Sequence, residues 1–289
     1  MKKKLLIFGV SGFVGSNFLK HARNLSDANF DITSVVARNG KDFSGWVDNL
    51  EIVDSFDYVT LSGLLSRIRP DYVVNFIGLF GDKTYEDLIM VNVGIPQKIL
   101  QAILDLGLLK TRLLFIGSAA EYGIVARNPL TEDSPLLPTS IYGLSKVLQT
   151  NLIQFYYRNY RINSVIARTF NLIGDGLSKE LSIGNFQEQI DRAKNGDTIK
   201  TGNLDSKRDF LDISIAVDLY SKLLFHGEPG HIYNVCRGVP TRIGEILEDM
   251  ISKSRKNLKI EVSENFLKKN DIHEIYGSRI KLDSLIAKI

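Results

Sequence analysis

Three glycines spaced three apart, Gly9, Gly12 and Gly15, follow directly on the apolar run Leu5 to Phe8 and enter a helical pattern that starts at Phe13. Strand, glycine turn and helix in that order admit few folds. Glycines here allow the tight turn, let backbone amides approach a pyrophosphate, and let the helix pack close on its strand. The spacing differs from the G-x-G-x-x-G form, and glycine clusters also make ordinary turns, so the flanking strand and helix carry the reading. Gly9, Gly12, Phe13, Val14 and Gly15 are therefore candidate cofactor-binding positions. The opening MKKKLLIFGV imitates a secretory signal, but its apolar run of six residues leads into this turn rather than a cleavage site, so a first buried strand is expected.

From there short apolar runs alternate with helical patterns. Strands are predicted at Leu5 to Gly9, Ile32 to Ala37, Glu51 to Asp54, Tyr72 to Ile77, Leu113 to Gly117 and Ser164 to Arg168. Helices are predicted at Phe13 to Arg23, Leu61 to Ile68, Tyr85 to Leu106 and Ile141 to Asn159. Pro70 ends one helix before its strand, and Ser140 is placed to cap the helix that begins at Ile141. After about Phe170 the alternation breaks into shorter elements. The expected fold is α/β. It has a Rossmann-like doubly wound parallel sheet over residues 1–169, carrying Ser118, Tyr142 and Lys146, and a smaller C-terminal α/β substrate lobe over 170–289, with some chain crossing between the two.

At 289 residues, 44% hydrophobic and 24% charged, the chain can bury roughly three quarters of its unfolded surface, which excludes a disordered or disulfide-held chain. A single cysteine, Cys236, cannot pair within the chain, which fits a reducing cytosol and excludes a cysteine cage for a metal. A formal charge of +3 is too near balance for a nucleic-acid binder. No apolar stretch approaches the roughly 18 residues of a membrane span. A cytoplasmic protein with no metal, nucleic-acid or membrane partner is expected.

An acidic residue at the end of the second strand would bind the adenosine ribose and repel a 2'-phosphate. Here the chain reads Ala37-Arg38-Asn39. A guanidinium suits a phosphate, so NADP(H) is favoured and NAD(H) remains possible; a plain surface arginine is the alternative. Asp54, ending the third strand, is a candidate for the adenine amino group or a turn-initiating aspartate.

Tyr142 and Lys146 stand four apart in a helical segment and share one face. A tyrosine of ordinary pKa is a poor acid-base group at neutral pH, and a neighbouring ammonium is expected to lower it. Tyr-x-x-x-Lys alone is a weak signal. Ser118 strengthens it, because it ends the fifth strand, where ligands of an open α/β sheet gather, and can donate to the same substrate oxygen.

Phosphate loop, strand-end serine and tyrosine-lysine helix in this order resemble the extended short-chain dehydrogenases/reductases, the NAD-dependent epimerase/dehydratase family. The segments carrying the resemblance are GVSGFVG at Gly9, VNVG at Val91, GSAAEYG at Gly117, YGLSK at Tyr142, RTFNLIGDGLS at Arg168, GNLDSKRDFLD at Gly202 and GHIYNVCRG at Gly230. It extends to about Ile260, and the segments beyond the first and fourth are similar to the branch that acts on nucleotide sugars. The resemblance implies that Ser118, Tyr142 and Lys146 are the catalytic triad. It also implies that Asn39, Ser55, Ile77, Gly78 and Asn92 join the coenzyme contacts with Tyr142 and Lys146, and that Asn171 and Arg208 contact a sugar nucleotide alongside Ser118 and Glu121. For Arg208 a surface ion pair is the alternative reading, and for Glu121, one position off the dehydratase acids, the alternatives are a supporting contact behind the substrate or a solvated loop carboxylate.

The reaction is narrowed by exclusion. Sugar 4,6-dehydratases of the family carry acidic residues where this chain has Ala119 and Ala120. Epimerase-reductases need a cysteine and a histidine, yet Cys236 reads as a buried small hydrophobe and His21, His226, His231 and His273 all fall outside the motifs. Epimerases usually carry an acid in place of Arg38. An NADPH-dependent 4-ketoreductase for a nucleotide-linked 4-keto-6-deoxy sugar, GDP-linked by resemblance, is expected, with a 4-epimerase holding NAD as the alternative. The family's diphosphate-binding Arg-Pro segment is replaced here by Phe266-Leu267-Lys268-Lys269-Asn270-Asp271. A homodimer is expected by resemblance, with Ile99, Ile103, Leu148, Leu152 and Phe155 at helical spacing; burial inside the monomer explains the same spacing.

Overall fold

The computed structural model describes residues 2–25, 30–37, 43–81, 83–124, 126–263 and 272–289. Six strands come first: β1 (Lys3–Phe8), β2 (Phe30–Ala37), β3 (Asn49–Val53), β4 (Tyr72–Asn75), β5 (Arg112–Ser118) and β6 (Ser164–Thr169). Beyond them lie β7 (Asn171–Ile173), β8 (Thr198–Thr201), β9 (Lys207–Asp212), β10 (Ile232–Val235), β11 (Pro240–Arg242), β12 (Lys259–Val262) and β13 (Glu274–Ile275). The helices are α1 (Phe13–Arg23), α2 (Tyr58–Ile68), α3 (Tyr85–Ile89), α4 (Ile95–Asp105), α5 (Ile141–Tyr160), α6 (Ser182–Arg192), α7 (Ile213–His226), α8 (Ile243–Ser254) and α9 (Ile280–Ile286).

The main sheet is parallel throughout, in the order β10-β6-β5-β4-β1-β2-β3. Strand order reverses beside β1, so a crevice opens between β1 and β4 at their carboxyl ends, where doubly wound folds bind ligands. The two-residue period of a strand divides the core. Leu5 and Ile7 face Phe18 and Leu19 of α1 and Val217 and Leu223 of α7, whereas Leu6 and Phe8 face Leu61 and Leu65 of α2, Ile99 and Ile103 of α4 and Ile153 of α5. Each such fully buried side chain contributes about 1.5–3 kcal/mol relative to exposure.

The predicted strands and helices lie within a few residues of the observed ones. Arg69 ends α2 in the left-handed conformation (φ 48°) immediately before Pro70, and Ser140 caps α5 by accepting from Gly143 N at 3.0 Å. One helix differs. Tyr85 to Leu106 is interrupted by a π-helical turn at Met90–Gly94, which falls just ahead of Pro96. A proline has no N–H to give and its ring crowds the carbonyl four residues back, and the wider turn relieves both. Tyr85–Asp105 is long and apolar enough to cross a membrane by length and composition, but Ile99, Leu100 and Ile103 are in the core against the sheet.

Residues 213–235 return to the main sheet as α7 and β10, so the two lobes interleave along the chain. The smaller lobe has a sheet of β11, β9 and β13 with β7 beside β9, a parallel pair β8–β12, and its own core of Phe186, Ile190, Ile199 and Leu247. Ile99 and Ile103 are both 0% exposed, so these two are core residues and not part of a dimer seam.

Candidate active site

The turn after β1 is built by its glycines. Gly9 has φ +82°, and a Cβ there would lie 2.7 Å from Ile77 N and Phe76 C. A Cβ on Gly15 would lie 2.2 Å from Gly9 O, so α1 packs on the turn only with glycine at that position. A Cβ on Gly12 would make only an ordinary contact, 3.6 Å from Gly9 O, and Gly12 caps α1 with extended backbone and no side-chain bond. The first turn of α1 holds no acidic side chain, so its amides and helix dipole face the crevice unopposed, which suits a coenzyme pyrophosphate.

Gly12, Phe13, Val14 and Gly15 line one side of a cleft of about 760 Å³. Ile77, Gly78, Ser118, Tyr142, Lys146, Asn171 and Arg208 line it as well. The structure thus brings Gly12 to Gly15 of the predicted phosphate loop, the predicted triad, and Asn171 and Arg208 of the predicted substrate contacts into one site. Asn171 and Arg208 also line an adjoining recess of about 530 Å³ between α6, β8 and β9.

Ser118 lies at the end of β5, where its Oγ accepts from Ala120 N at 3.2 Å. That leaves the hydroxyl proton as a donor, and the serine side chain is hydrogen-bonded to Tyr142. Lys146 Nζ donates to Ile116 O at 2.8 Å and to Gln149 Oε1 at 2.7 Å, which leaves one of its three N–H donors for the cleft. Burial pushes the Lys146 ammonium down to about 8, opposed by the negative charge of Glu121. Tyr142 departs from expectation. Burial holds its phenol above the ordinary 10, with the Ser118 hydrogen bond opposing and Glu121 adding to the rise. The expected lowering by Lys146 does not arise, desolvation dominates, and Tyr142 stands as a proton donor rather than a phenolate.

Several predicted residues sit outside the cleft wall. Gly9 shapes the turn from beneath. Asn92, 0% exposed, spends its amide on Leu79 and Ser145, so it positions the site without lining it. The Ser55 hydroxyl bonds Asp57, whose carboxylate caps α2 through Thr60 N. Asp54 is exposed one residue past β3. Arg38 and Asn39 lie outside the described residues, as do 264–271, which hold the altered diphosphate segment.

Glu121 requires a correction. It is 0% exposed and its carboxylate is fully engaged, accepting from Ser118 N at 2.8 Å, Thr150 Oγ1 at 2.9 Å and Arg168 Nε at 3.0 Å. It is neither a substrate contact nor a solvated loop residue, because the short helical turn Ala119–Glu121 rotates it inward. Sequence reasoning also missed Thr169 and Tyr220, whose hydroxyls pair at 2.8 Å in the cleft wall. A tyrosine in an apolar helix gives no signal that separates it from core.

A dinucleotide cradle at the switch point of a parallel sheet, with a serine-tyrosine-lysine triad beside it, defines a short-chain dehydrogenase/reductase type of enzyme. The model of the NAD dependent epimerase/dehydratase family matches residues 5–236, and the chain belongs to that family of NAD(P)-dependent enzymes. It is 26% identical over 96% of its length to the GDP-6-deoxy-D-talose 4-dehydrogenase of Aggregatibacter actinomycetemcomitans, covering 90% of that protein. It is 27% identical over 98% of its length to the GDP-6-deoxy-D-mannose reductase of Pseudomonas aeruginosa, covering 90% of it. The solved structure of RMD from Pseudomonas aeruginosa complexed with NADPH superposes with a TM-score of 0.83 at 25% identity, over 99% of this chain and 93% of that one.

Proposed function

We propose that this protein reduces the C4 ketone of a nucleotide-linked 4-keto-6-deoxy sugar, GDP-linked, using NADPH, as a step in surface polysaccharide synthesis. The observation that carries the reading is the cleft itself. Ser118, Tyr142 and Lys146 meet there while Ala119 and Ala120 line it where acids for eliminating water would stand. The named activities of the two curated relatives, both on GDP-linked 6-deoxy sugars, support the substrate class.

The first-turn amides of α1 would hold the coenzyme pyrophosphate, and Ile77, Gly78 and Lys146, which line the same cleft, would contact the rest of the coenzyme. When bound, NADPH supplies the hydride. Tyr142 gives its hydroxyl proton to the oxygen that becomes the alcohol, and Ser118 donates a hydrogen bond to the same oxygen. The Lys146 ammonium stabilises the phenolate left behind. Asn171 and Arg208, shared between the cleft and the adjoining recess, bind the sugar nucleotide, with the Arg208 guanidinium suited to its diphosphate.

The test is NADPH consumption with GDP-4-keto-6-deoxy-D-mannose. Tyr142→Phe keeps the ring and lowers turnover roughly 10²-fold or more with coenzyme binding intact. Near-normal turnover of the variant would remove Tyr142 from the mechanism. Retained NAD without net coenzyme consumption would point instead to a 4-epimerase. A thermal-shift panel of GDP, UDP, dTDP and CDP names the base, since a ligand at 100 times its Kd stabilises by about 2.7 kcal/mol.

We also propose that the protein works in the cytosol as a homodimer. Support comes from α5, where Ile141, Leu144, Leu148 and Phe155 form an exposed apolar stripe at helical spacing.

A further inference from the structure

Behind Ser118 lies a buried polar network that the reduction itself does not use. Glu121 and Arg168 are 0% and 1% exposed and form an ion pair, with Arg168 Nη2 2.9 Å from Glu121 Oε2. The Glu121 carboxylate has two further bonds, and each reaches a different catalytic element. One comes from the backbone N–H of Ser118 at the end of β5, and the other from Thr150 on α5. Thr150 stands one helical turn beyond Lys146 and two beyond Tyr142 on the same helix. Arg168 is fixed in turn by Tyr122, whose hydroxyl accepts from it at 3.0 Å and donates to Asn234 Oδ1 of β10 at 2.6 Å.

A buried ion pair is weak evidence for stability, since replacing it with apolar groups is often neutral or stabilising. This one is placed where it sets geometry. The Ser118 hydroxyl and the Tyr142 hydroxyl come from different elements; Lys146 joins those elements directly at Ile116 O, and Glu121 joins them at the Ser118 end of β5 through Ser118 N and Thr150 Oγ1. Gly117 is part of the arrangement, because a Cβ there would lie 2.7 Å from Glu121 Oε1.

We propose that Glu121, held by Arg168, is a positioning residue for the catalytic pair: its carboxylate ties the Ser118 end of β5 to α5 and so fixes the Ser118 hydroxyl against that of Tyr142. The proposal rests on the ketoreductase reading for its kinetic test. Its charge has a second consequence. The groups facing Tyr142 and Lys146 are Ser118, Glu121, Gln149, the Ile116 carbonyl and Tyr220, and Glu121 is the anion among them. It favours the proton on both Tyr142 and Lys146, the state required for reduction.

The experiment compares Glu121→Gln and Thr150→Val in the full chain. Glu121→Gln removes the charge and weakens the tie, and Thr150→Val removes only the tie to α5, so the second variant carries the test if the first fails to fold. With GDP-4-keto-6-deoxy-D-mannose, both are expected to lower kcat about 10- to 100-fold with KM and NADPH affinity changed less than twofold. In Glu121→Gln the alkaline limb of the pH profile moves to lower pH, and in Thr150→Val it stays in place. A structural role alone would reduce the amount of folded protein without producing this split. Independently of substrate, the pH dependence of Lys146 acylation by acetic anhydride, followed by mass spectrometry, is expected to shift down in Glu121→Gln. A wild-type enzyme inactive on the ketosugar would sink the ketoreductase reading and leave the acylation result to decide this one. Unchanged kcat in both variants, or an acylation profile that does not move, would overturn the role of Glu121.

Discussion

Asn92 grips Leu79 by both of its backbone groups: its Oδ1 accepts from Leu79 N at 2.8 Å and its Nδ2 donates to Leu79 O at 2.9 Å. The same Nδ2 reaches Ser145 Oγ at 2.9 Å, and Ser145 donates to the Tyr142 carbonyl at 2.7 Å. One side chain in the π-helical turn therefore joins the loop after β4 to the catalytic helix. Asn92→Leu keeps the volume and leaves these partners unpaired, at a cost of about 1–3 kcal/mol. If roughly half of that falls on the loop, NADPH affinity drops about 2- to 13-fold, measurable by fluorescence titration. Unchanged affinity would mean that the loop from Phe76 to Phe80 does not contact the coenzyme.

The Lys146 pKa of about 8 gives activity and stability opposite pH trends. Below about pH 8 the ammonium is present to stabilise the Tyr142 phenolate, and above it turnover falls tenfold per unit as the charge is lost. For stability, the folded value lies below the ordinary 10.5, so between about pH 8 and 10.5 the unfolded chain binds the extra proton. Stability from this group then rises with pH across that window and is lost as pH falls through 8. The shift corresponds to about 3 kcal/mol. Denaturant unfolding of wild type against Lys146→Met should show the wild type gaining on the variant from pH 8 to 10. A constant difference would remove the shifted pKa.

The legible parts of this site are those set by local chemistry. A glycine turn must lie between its strand and helix, and a serine that ends a strand of a parallel sheet must face the crevice, so Gly12 and Ser118 were readable from neighbours in the chain. The fate of Glu121 was not, because its partners Thr150 and Arg168 are 29 and 47 residues away. The same holds for Ile99 and Ile103, whose spacing fits a seam or a core equally well until the sheet beneath α4 is in place. Tyr142 shows a third kind of limit: burial, which no i,i+4 spacing reveals, raises its phenol, and no lowering by Lys146 offsets it.

The α5 stripe makes a quantitative demand on assembly. Leu144, Leu148 and Phe155 are 39%, 38% and 46% exposed in the single chain, and a second copy would cover them. Leu148→Glu places a charge that a closed seam would desolvate, and it is expected to weaken dimerisation at least tenfold while leaving the fold intact. Sedimentation at micromolar concentration should give a dimer for wild type and a monomer for the variant. A monomeric wild type would end the proposal.

Arg38 follows directly on β2, which ends at Ala37, and lies outside the described residues. By sequence position, one residue past the second strand, it is the residue expected to meet the adenosine side of the coenzyme. A 2'-phosphate carries up to two charges, and a planar guanidinium meets it with paired hydrogen bonds. A hydrogen bond to a charged group contributes about 1.5–3 kcal/mol. Arg38→Ala should therefore weaken NADPH by roughly 10- to 150-fold and change NADH little, since only NADPH has the phosphate. Titrating both coenzymes against wild type and variant separates the possible roles. Equal losses for the two would make Arg38 a support of the loop, and a wild type that strongly prefers NADH would overturn the assignment of NADPH.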